Sequence, residues 1–430
     1  MKKKEVEKYD FSRKPKRASA LWMWIARTFV ISYRMRGIKA EINRVNMDGL
    51  KPPYLLLATH ASEMDFCLEY KAILPYKRVN NVVAIDAIRD IGDWLMRLLG
   101  CISKRKFVRD YDLIRNMRHC VKNYGDIVCI YPEARYSLDG CASFVPPSVG
   151  KLCKLLGIPV VVLNMQGTFI IGPQWNKTRQ SCPQRATIEQ IVTADEVKKL
   201  SADTINDRIL KAFERDDFKY QFENGIENNY ENRAHGLHSI LYQCPHCKKE
   251  FEMYSEGTRL WCNSCGKSWQ MTNLGRLKAE EGETEFEHIP DWFKWERENV
   301  KAEVRSGAYR YEGEVDVHTL PNAKAFEHHG KGMLVQTADG TVLEATVYGK
   351  PTRIEWKAAE LESVHVEYDY PFFKRWKNRH HFLGDCVDIS TNDDSFWLHP
   401  ATQRDQLTKL SIATEEIHFL ALEKLKQDKE

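Results

Sequence analysis

The sequence predicts an α/β domain, then a small cysteine-rich unit, then a mainly β C-terminal domain that ends in a helix. Three observations predict this order. Short apolar runs alternate with helical segments over residues 51–235. Two Cys-x-x-Cys pairs lie within residues 240–275, and strand-like segments separated by turn signals fill most of residues 307–430. A chain of 430 residues is expected to form more than one domain.

Composition and charge exclude some classes of protein. Hydrophobic residues make up 43% of the chain, which is enough to build folded cores. The 64 basic residues are nearly balanced by 60 acidic ones, so the chain lacks the overall charge of a nucleic-acid-binding protein. The polar start does not have the form of a cleavable signal peptide, so we expect a cytoplasmic protein with reduced cysteines.

Residues 1–50 are predicted to hold a basic leader and an amphipathic helix that associates with a membrane. Lysines and arginines dominate the first 17 residues, and the apolar, Trp-rich stretch 20–33 follows. Arg27 interrupts this stretch, so we expect no spanning helix; Arg27 and Arg34 share one helical face. Such a segment fits the inner face of an anionic membrane, with the protein bound peripherally. The alternative is a soluble first helix that packs on the protein core.

The predicted α/β domain, residues 51–235, begins with an apolar strand over 54–59. Helices are predicted over 87–99 and 111–124. Two more strands are predicted, one over 126–131 and one directly after Gly157.

His60 and Asp65 directly follow the first of these strands. A neutral imidazole can take a proton from a hydroxyl group, and a carboxylate can hold that imidazole in the required tautomer. Five residues of regular helix would point the two side chains apart, so they meet only if His60 lies in the turn and Asp65 in the first helical turns. The pair alone is also compatible with a structural histidine.

Two later segments carry further candidate binding residues. After an apolar helix come four basic residues that are suited to binding a phosphate, although a solvated basic turn would have the same composition: Lys104, Arg105, Lys106 and Arg109. Glu133 and Arg135 follow the strand over 126–131, at the edge where ligands gather in open α/β sheets.

In order and spacing, these segments resemble the blocks of the glycerolipid acyltransferase family, which includes 1-acylglycerol-3-phosphate acyltransferases. His60 and Asp65 match both positions of the His-x-x-x-x-Asp block. In the second block Gly100 matches, while Ser103 replaces Phe and Lys106 replaces Arg.

The other two blocks match in part. The third keeps Pro132 and Glu133, and Tyr131 is a conservative replacement before them. The three residues that follow differ from the family: Ala134, Arg135 and Tyr136. The fourth keeps Ile158 and Pro159 and has Val162 in place of its second proline. The resemblance covers residues 50–170, well under half of the chain.

The resemblance implies an O-acyltransferase of phospholipid biosynthesis, with His60 as general base and Asp65 as its orienting partner. The implied acyl donor is acyl-CoA or acyl-carrier protein, and the implied acceptor is a lysophospholipid such as 1-acylglycerol-3-phosphate. Substrate contacts are expected from the charged residues of the second and third blocks: Lys104, Arg105, Lys106, Glu133 and Arg135. The alternative is a non-catalytic lipid-binding or scaffold protein with a degenerate acyltransferase domain.

Residues 240–275 are predicted to form a zinc ribbon. Fourteen residues separate two Cys-x-x-Cys pairs: Cys244, Cys247, Cys262 and Cys265. Four thiolates at this spacing suit tetrahedral zinc and leave no open coordination position, so the zinc is expected to be structural. His246, between the first two cysteines, is interpreted as a bystander. Nucleic-acid binding by the ribbon is not expected.

A helical linker over 276–306 is predicted to connect the ribbon to the β-rich domain over 307–430. In element order, this last domain resembles a pleckstrin-homology-like or GRAM-like module with a terminal helix. The segment 371–382 mixes aromatic and basic residues. It is interpreted either as a contact with anionic lipid headgroups or as a solvated hairpin.

Overall fold

The computed structural model describes residues 6–176, 178–370, 384–401 and 406–428. These residues form three sheets, ordered along the chain as a mixed α/β region, a small four-stranded sheet and a seven-stranded antiparallel sheet followed by a long helix. The predicted fold class is confirmed at this level: α/β first, then a four-cysteine cluster, then a C-terminal β region with a terminal helix.

The first sheet has seven strands in the order β1-β7-β6-β2-β5-β3-β4, and all neighbours are parallel except β6 and β7. The central strands β2, β5 and β6 are apolar and almost fully buried, as expected for a sheet covered on both faces. The strands are β1 Ala40–Val45, β2 Leu55–Ala58, β3 Val79–Ala84, β4 Ile102–Lys104, β5 Ile127–Ile130, β6 Val160–Gln166 and β7 Gln184–Val192.

Eleven α-helical segments accompany the described part of this sheet: α1 Ala20–Ile25, α2 Ser32–Arg34, α3 Asp65–Ala72, α4 Ile85–Ile91, α5 Asp93–Leu98, α6 Tyr111–Tyr124, α7 Ser148–Leu156, α8 Thr168–Ile171, α9 Ala194–Lys199, α10 Ala202–Phe213 and α11 Asp217–Glu223. The helix predicted over 87–99 is instead two helices. Gly92, between α4 and α5, has φ 103°, a conformation that a continuous helix does not contain.

The N-terminal segment packs against the first sheet region more extensively than its polar and basic composition predicts. A π-helical turn over Ala26–Ile31 joins α1 to α2, and β1, which lies within the predicted leader region, pairs with β7 at the sheet edge. Before α1, Phe11 is buried and Arg17 forms an ion pair with Asp126 (2.7 Å). In the part of the chain that the structure describes, no helix has both the length and the apolar content needed to cross a membrane.

The four-stranded sheet contains β8 Met253–Glu256, β9 Arg259–Cys262, β10 Ser268–Met271 and β11 Leu277–Ala279, all antiparallel. Helix α12, Ile289–Ser306, follows it. Trp269 of β10 packs edge-on against Trp292 of α12, with ring centroids 5.0 Å apart, and both side chains are fully buried.

The C-terminal sheet has the strand order β15-β14-β13-β12-β18-β17-β16. Its strands are β12 Tyr311–Thr319, β13 Glu327–Thr337, β14 Gly340–Val347, β15 Lys350–Lys357, β16 His365–Tyr370, β17 Gly384–Ser390 and β18 Ser395–Pro400. The terminal helix α13, Leu407–Gln427, contacts α12, β16 and β17. The sheet also packs on the first region, because Trp397 shares a buried cluster with Ile85 and Met96.

Candidate functional site

His60 and Asp65 are in direct contact. His60 lies in the turn after β2, and Asp65 is the first residue of α3. The turn between them folds back, so His60 Nδ1 lies 3.0 Å from Asp65 Oδ2. The same carboxylate oxygen accepts hydrogen bonds from the backbone amides of Ala61 (2.6 Å) and Ser62 (3.0 Å). The Asp65 side chain is only 1% exposed, so these contacts hold it in one orientation.

This arrangement leaves His60 able to act as a base. A carboxylate that accepts a hydrogen bond from Nδ1–H leaves Nε2 as the proton-accepting nitrogen. Burial lowers the pKa of His60, and the hydrogen bond and charge of Asp65 oppose this effect. The His60 side chain remains 23% exposed. Its ring contacts those of Tyr131 and Tyr136, at centroid distances of 4.5 and 4.3 Å.

A buried ionic network supports the His60 turn from behind. The His60 carbonyl accepts hydrogen bonds from the Ser137 amide (3.1 Å) and from Arg215 (3.0 Å). Arg215 also pairs with Glu133 (3.1 Å) and Asp217 (3.8 Å), and these three side chains are fully buried. Burial raises the pKa of Glu133 to about 7, against the opposing charge of Arg215. Glu133 therefore supports the turn, and Arg215 is a supporting residue that the sequence analysis missed.

Lys106 is held by carboxylates from two regions of the chain. Its Nζ lies 2.7 Å from Asp388 of β17 and 3.3 Å from Asp86 of α4, and His365 Nδ1 is 3.1 Å away. Burial alone would lower the pKa of Lys106, but the charges of Asp388 and Asp86 outweigh it and raise the pKa. Any phosphate that approached Lys106 would compete with these carboxylates.

The other predicted substrate-binding cations also lie against protein groups: Lys104, Arg105 and Arg135. Arg105 donates hydrogen bonds to the backbone carbonyls of Asn392 (3.0 Å) and Asp393 (3.1 Å). Arg135 forms an ion pair with Glu415 of α13 (2.7 Å). Burial lowers the pKa of Lys104. The partners of Arg105 and Arg135 both come from the C-terminal region, so this region forms one wall of the candidate site.

His365 extends this wall toward His60. The ring of Tyr136 contacts both histidines, with centroid distances of 4.3 Å to His60 and 5.8 Å to His365. His365 is buried in β16, close to Glu367 (3.2 Å). More than 300 residues of sequence separate His60 from His365, and no local motif marks the latter.

The four cysteines of the predicted ribbon converge on one point. Their sulfur atoms all lie within 4.8 Å of one another, and the Cys244–Cys265 and Cys247–Cys262 distances are 3.8 and 3.7 Å. Tetrahedral zinc with bonds of about 2.3 Å requires sulfur atoms about 3.8 Å apart. The cluster therefore fits zinc. His246 is outside it and lies 3.3 Å from Glu285.

The segment 371–382, interpreted from sequence either as a contact with anionic lipid headgroups or as a solvated hairpin, lies outside the described residues.

No family model matches the chain, and no curated protein matches it. A match among solved structures is the crystal structure of the 1-acyl-sn-glycerophosphate (LPA) acyltransferase PlsC from Thermotoga maritima. The two sequences are 15% identical, the match covers 45% of this chain and 94% of that chain, and the TM-score is 0.31. A likeness this distant assigns neither fold nor function to this chain.

Proposed function

We propose that this chain is an O-acyltransferase that moves a fatty-acyl group from acyl-CoA or acyl-carrier protein to a hydroxyl of a glycerolipid. The observation that carries the proposal is the His60–Asp65 pair, whose carboxylate is oriented by two backbone amides. This geometry meets the requirement of a general base for hydroxyl activation. The resemblance of the sequence blocks narrows the acceptor to a lysophospholipid, with 1-acylglycerol-3-phosphate proposed, and the process to phospholipid biosynthesis.

In the proposed mechanism, His60 Nε2 takes the proton of the acceptor hydroxyl while its oxygen attacks the thioester carbonyl. A carbon–oxygen ester bond forms, the carbon–sulfur bond breaks, and the thiolate leaves. A thiol with a pKa of roughly 8.5 needs little acid assistance to leave, and the imidazolium can return its proton to the thiolate. Asp65 stabilises the imidazolium after it has taken the hydroxyl proton and before it returns that proton to the thiolate.

The acceptor phosphate is proposed to bind near Lys106 and Arg135. Each of these cations is paired with a carboxylate of the C-terminal region, Asp388 and Glu415 respectively. A phosphate carries up to two negative charges and more acceptor oxygens than a carboxylate, so it can compete for such partners. Movement of the C-terminal wall is therefore part of the proposed binding step.

The acyltransferase proposal is tested by replacing the base. His60→Ala should abolish thiol release from acyl-CoA in the presence of 1-acylglycerol-3-phosphate, because no other group replaces Nε2 as the base. The circular dichroism spectrum should stay unchanged. The matched control is His235→Ala, which alters an exposed histidine and should retain wild-type turnover. Undiminished turnover in His60→Ala would contradict the role of His60, and thiol release that does not depend on the acceptor would contradict acyl transfer. A wild-type protein that releases no thiol would favour the non-catalytic lipid-binding alternative.

Binding to a membrane surface is proposed through the N-terminal helix. Arg27 and Arg34 face the protein, where they contact the Tyr76 carbonyl (3.1 Å) and Glu63 (2.8 Å). The outer side of the helix instead exposes large apolar side chains: Leu21, Trp24, Phe29, Val30 and Tyr33. Clustered exposed aromatic and aliphatic groups are suited to the headgroup region of a bilayer.

The double variant Trp24→Ser/Phe29→Ser should reduce flotation with anionic phospholipid vesicles, because it removes apolar area from this surface. The matched control is Tyr111→Ser, which removes an exposed aromatic ring from α6. Equal flotation of the double variant and the wild type would contradict the membrane proposal.

A further inference from the structure

Three neighbouring strands of the C-terminal sheet place an aspartate and three histidines on one face. Asp316 and His318 are two residues apart in β12, so their side chains point to the same side. His328 of β13 lies opposite His318, and His399 of β18 lies opposite Asp316. Residues directly opposite each other in antiparallel strands share a face of the sheet.

A β-bulge selects His328 for this position. Val317 pairs with Gly330, so a regular antiparallel register would place His329 opposite His318. The register shifts at this point, and His328 takes the place instead. Gly330 has φ 78°, the left-handed conformation that accommodates a bulge. His329 Nε2 lies 2.8 Å from Thr319 Oγ1.

Donor atoms of three of these residues are close enough to share one ion. One ligand atom from each of Asp316, His318 and His328 lies within 4.8 Å of the others. Asp316 Oδ1 is 2.6 Å from His328 Nε2, and the rings of His318 and His328 are stacked with centroids 4.7 Å apart. Asp316 and His328 side chains are 44% and 58% exposed, so they can make the small rotations that coordination requires.

An ordinary exposed Asp–His ion pair would involve only Asp316 and His328. Here His318 joins them, and His399 brings a third imidazole with its ring 5.2 Å from that of His318. Imidazole nitrogens combined with one carboxylate suit zinc, nickel, cobalt or copper, whereas magnesium and calcium prefer oxygen ligands.

We propose that Asp316, His318 and His328 form a second metal site, distinct from the cysteine cluster, that binds a divalent transition-metal ion such as zinc, with His399 as the neighbouring fourth donor. An ion bound there would link β12 to β13 across the bulge. This proposal does not depend on the proposed acyl transfer.

Metal titration of the full-length protein tests the proposal. Protein carrying one zinc in the cysteine cluster should bind a second equivalent of zinc in a calorimetric titration. Cobalt added to the same protein should give visible d–d absorption without a thiolate-to-cobalt charge-transfer band, because the new ligands are nitrogen and oxygen.

His318→Ala and His328→Ala should each lower the affinity of the second site for zinc by more than about 100-fold. Loss of a hydrogen-bond partner of a metal ligand already lowers metal affinity by roughly 10- to 100-fold, and loss of a ligand itself should cost more. The cysteine-bound zinc should remain in both. The matched control is His329→Ala, which removes the neighbouring histidine outside the cluster and should leave the second site intact. Replacing His328 is expected to preserve the fold, which circular dichroism checks, because its side chain is exposed.

Three results would overturn the proposal: no second equivalent in the wild type, unchanged affinity in both cluster variants, or equal loss of binding in His329→Ala.

Discussion

One oxygen atom of Asp65 organises the candidate catalytic turn. Oδ2 accepts hydrogen bonds from two backbone amides and lies beside His60 Nδ1, so one buried carboxylate shapes the backbone and orients the ring. A buried carboxylate needs such partners, because without them its desolvation would be costly. The catalytic roles of the two residues stay predictions, but their contact meets the geometric requirement for those roles.

Asp65→Asn should reduce acyl transfer by about 10³- to 10⁴-fold, because the amide cannot hold the tautomer that leaves Nε2 free. In the wild type, kcat/KM should rise with pH through an inflection below 6.5, since only neutral His60 accepts a proton and burial lowers its pKa. Asp65→Asn should move this inflection lower still, because it removes the charge that favours the imidazolium. The measurement is kcat/KM as a function of pH for both proteins.

The matched control for Asp65→Asn is Glu63→Gln. Glu63 lies in the same turn, but its side chain is exposed and pairs with Arg34. Its replacement should leave both the rate and the inflection unchanged. Wild-type turnover in Asp65→Asn, or a wild-type inflection above 6.5, would contradict the assigned roles.

At the scale of elements, local signals explain where the helices and strands begin and end. Helix α6 spans Tyr111–Tyr124 as predicted, because the Asp110 side chain caps its first turn and Gly125 ends it with φ 62°. The split between α4 and α5 was missed, because the apolar pattern continues through Gly92. The bulge that places His328 was also missed, since it depends on how β12 and β13 pair.

The cysteine cluster should stabilise the small sheet and its contact with α12. Cys262→Ser should release the tightly bound zinc, because three thiolates hold it less well than four. Trp269 and Trp292, both buried at this contact, should then become accessible to water and shift tryptophan fluorescence to longer wavelength. Zinc content and emission spectra measure the two effects. The control is Cys101→Ser, outside the cluster; retained zinc in Cys262→Ser would contradict the assignment.

At the scale of the whole molecule, Glu415 of α13 joins three parts of the chain. It pairs with Arg135 beside the candidate site (2.7 Å) and with Arg297 of α12 (2.6 Å), and it accepts a hydrogen bond from Ser363 (2.8 Å). Its side chain is only 1% exposed. The charge of Glu415 therefore compensates two arginines from distant parts of the chain, one in the loop after β5 and one in α12.

Glu415→Gln should lower the free energy of unfolding by about 3 to 5 kcal/mol, because it leaves the buried charge of Arg135 without its carboxylate, whereas Arg297 keeps its ion pair with Glu416 (2.9 Å). The control on the same helix is Glu423→Gln, whose exposed pair with Arg305 should contribute less than about 1 kcal/mol. Urea unfolding measures both. Similar small effects for the two variants would contradict the role assigned to Glu415.

Features that depend on neighbouring residues were predictable from sequence. The central strands follow from short apolar runs, the cysteine cluster from the spacing of two pairs, and the His60–Asp65 contact from a turn of five residues. Each of these depends on interactions over a short stretch of chain, where side-chain pattern and turn geometry restrict the backbone to few conformations.

The partners of the charged residues were decided only by the tertiary structure. From sequence, substrate contacts were predicted for four basic residues: Lys104, Arg105, Lys106 and Arg135. In the structure Lys106 instead lies against Asp388, 282 residues away, and Arg135 lies against Glu415. Arg215 reaches the His60 carbonyl across 155 residues. A buried charge requires an opposite charge or a polar group as its partner, and the local sequence does not specify which residue that partner is. The partner is determined by the packing of the C-terminal sheet and helix on the first region.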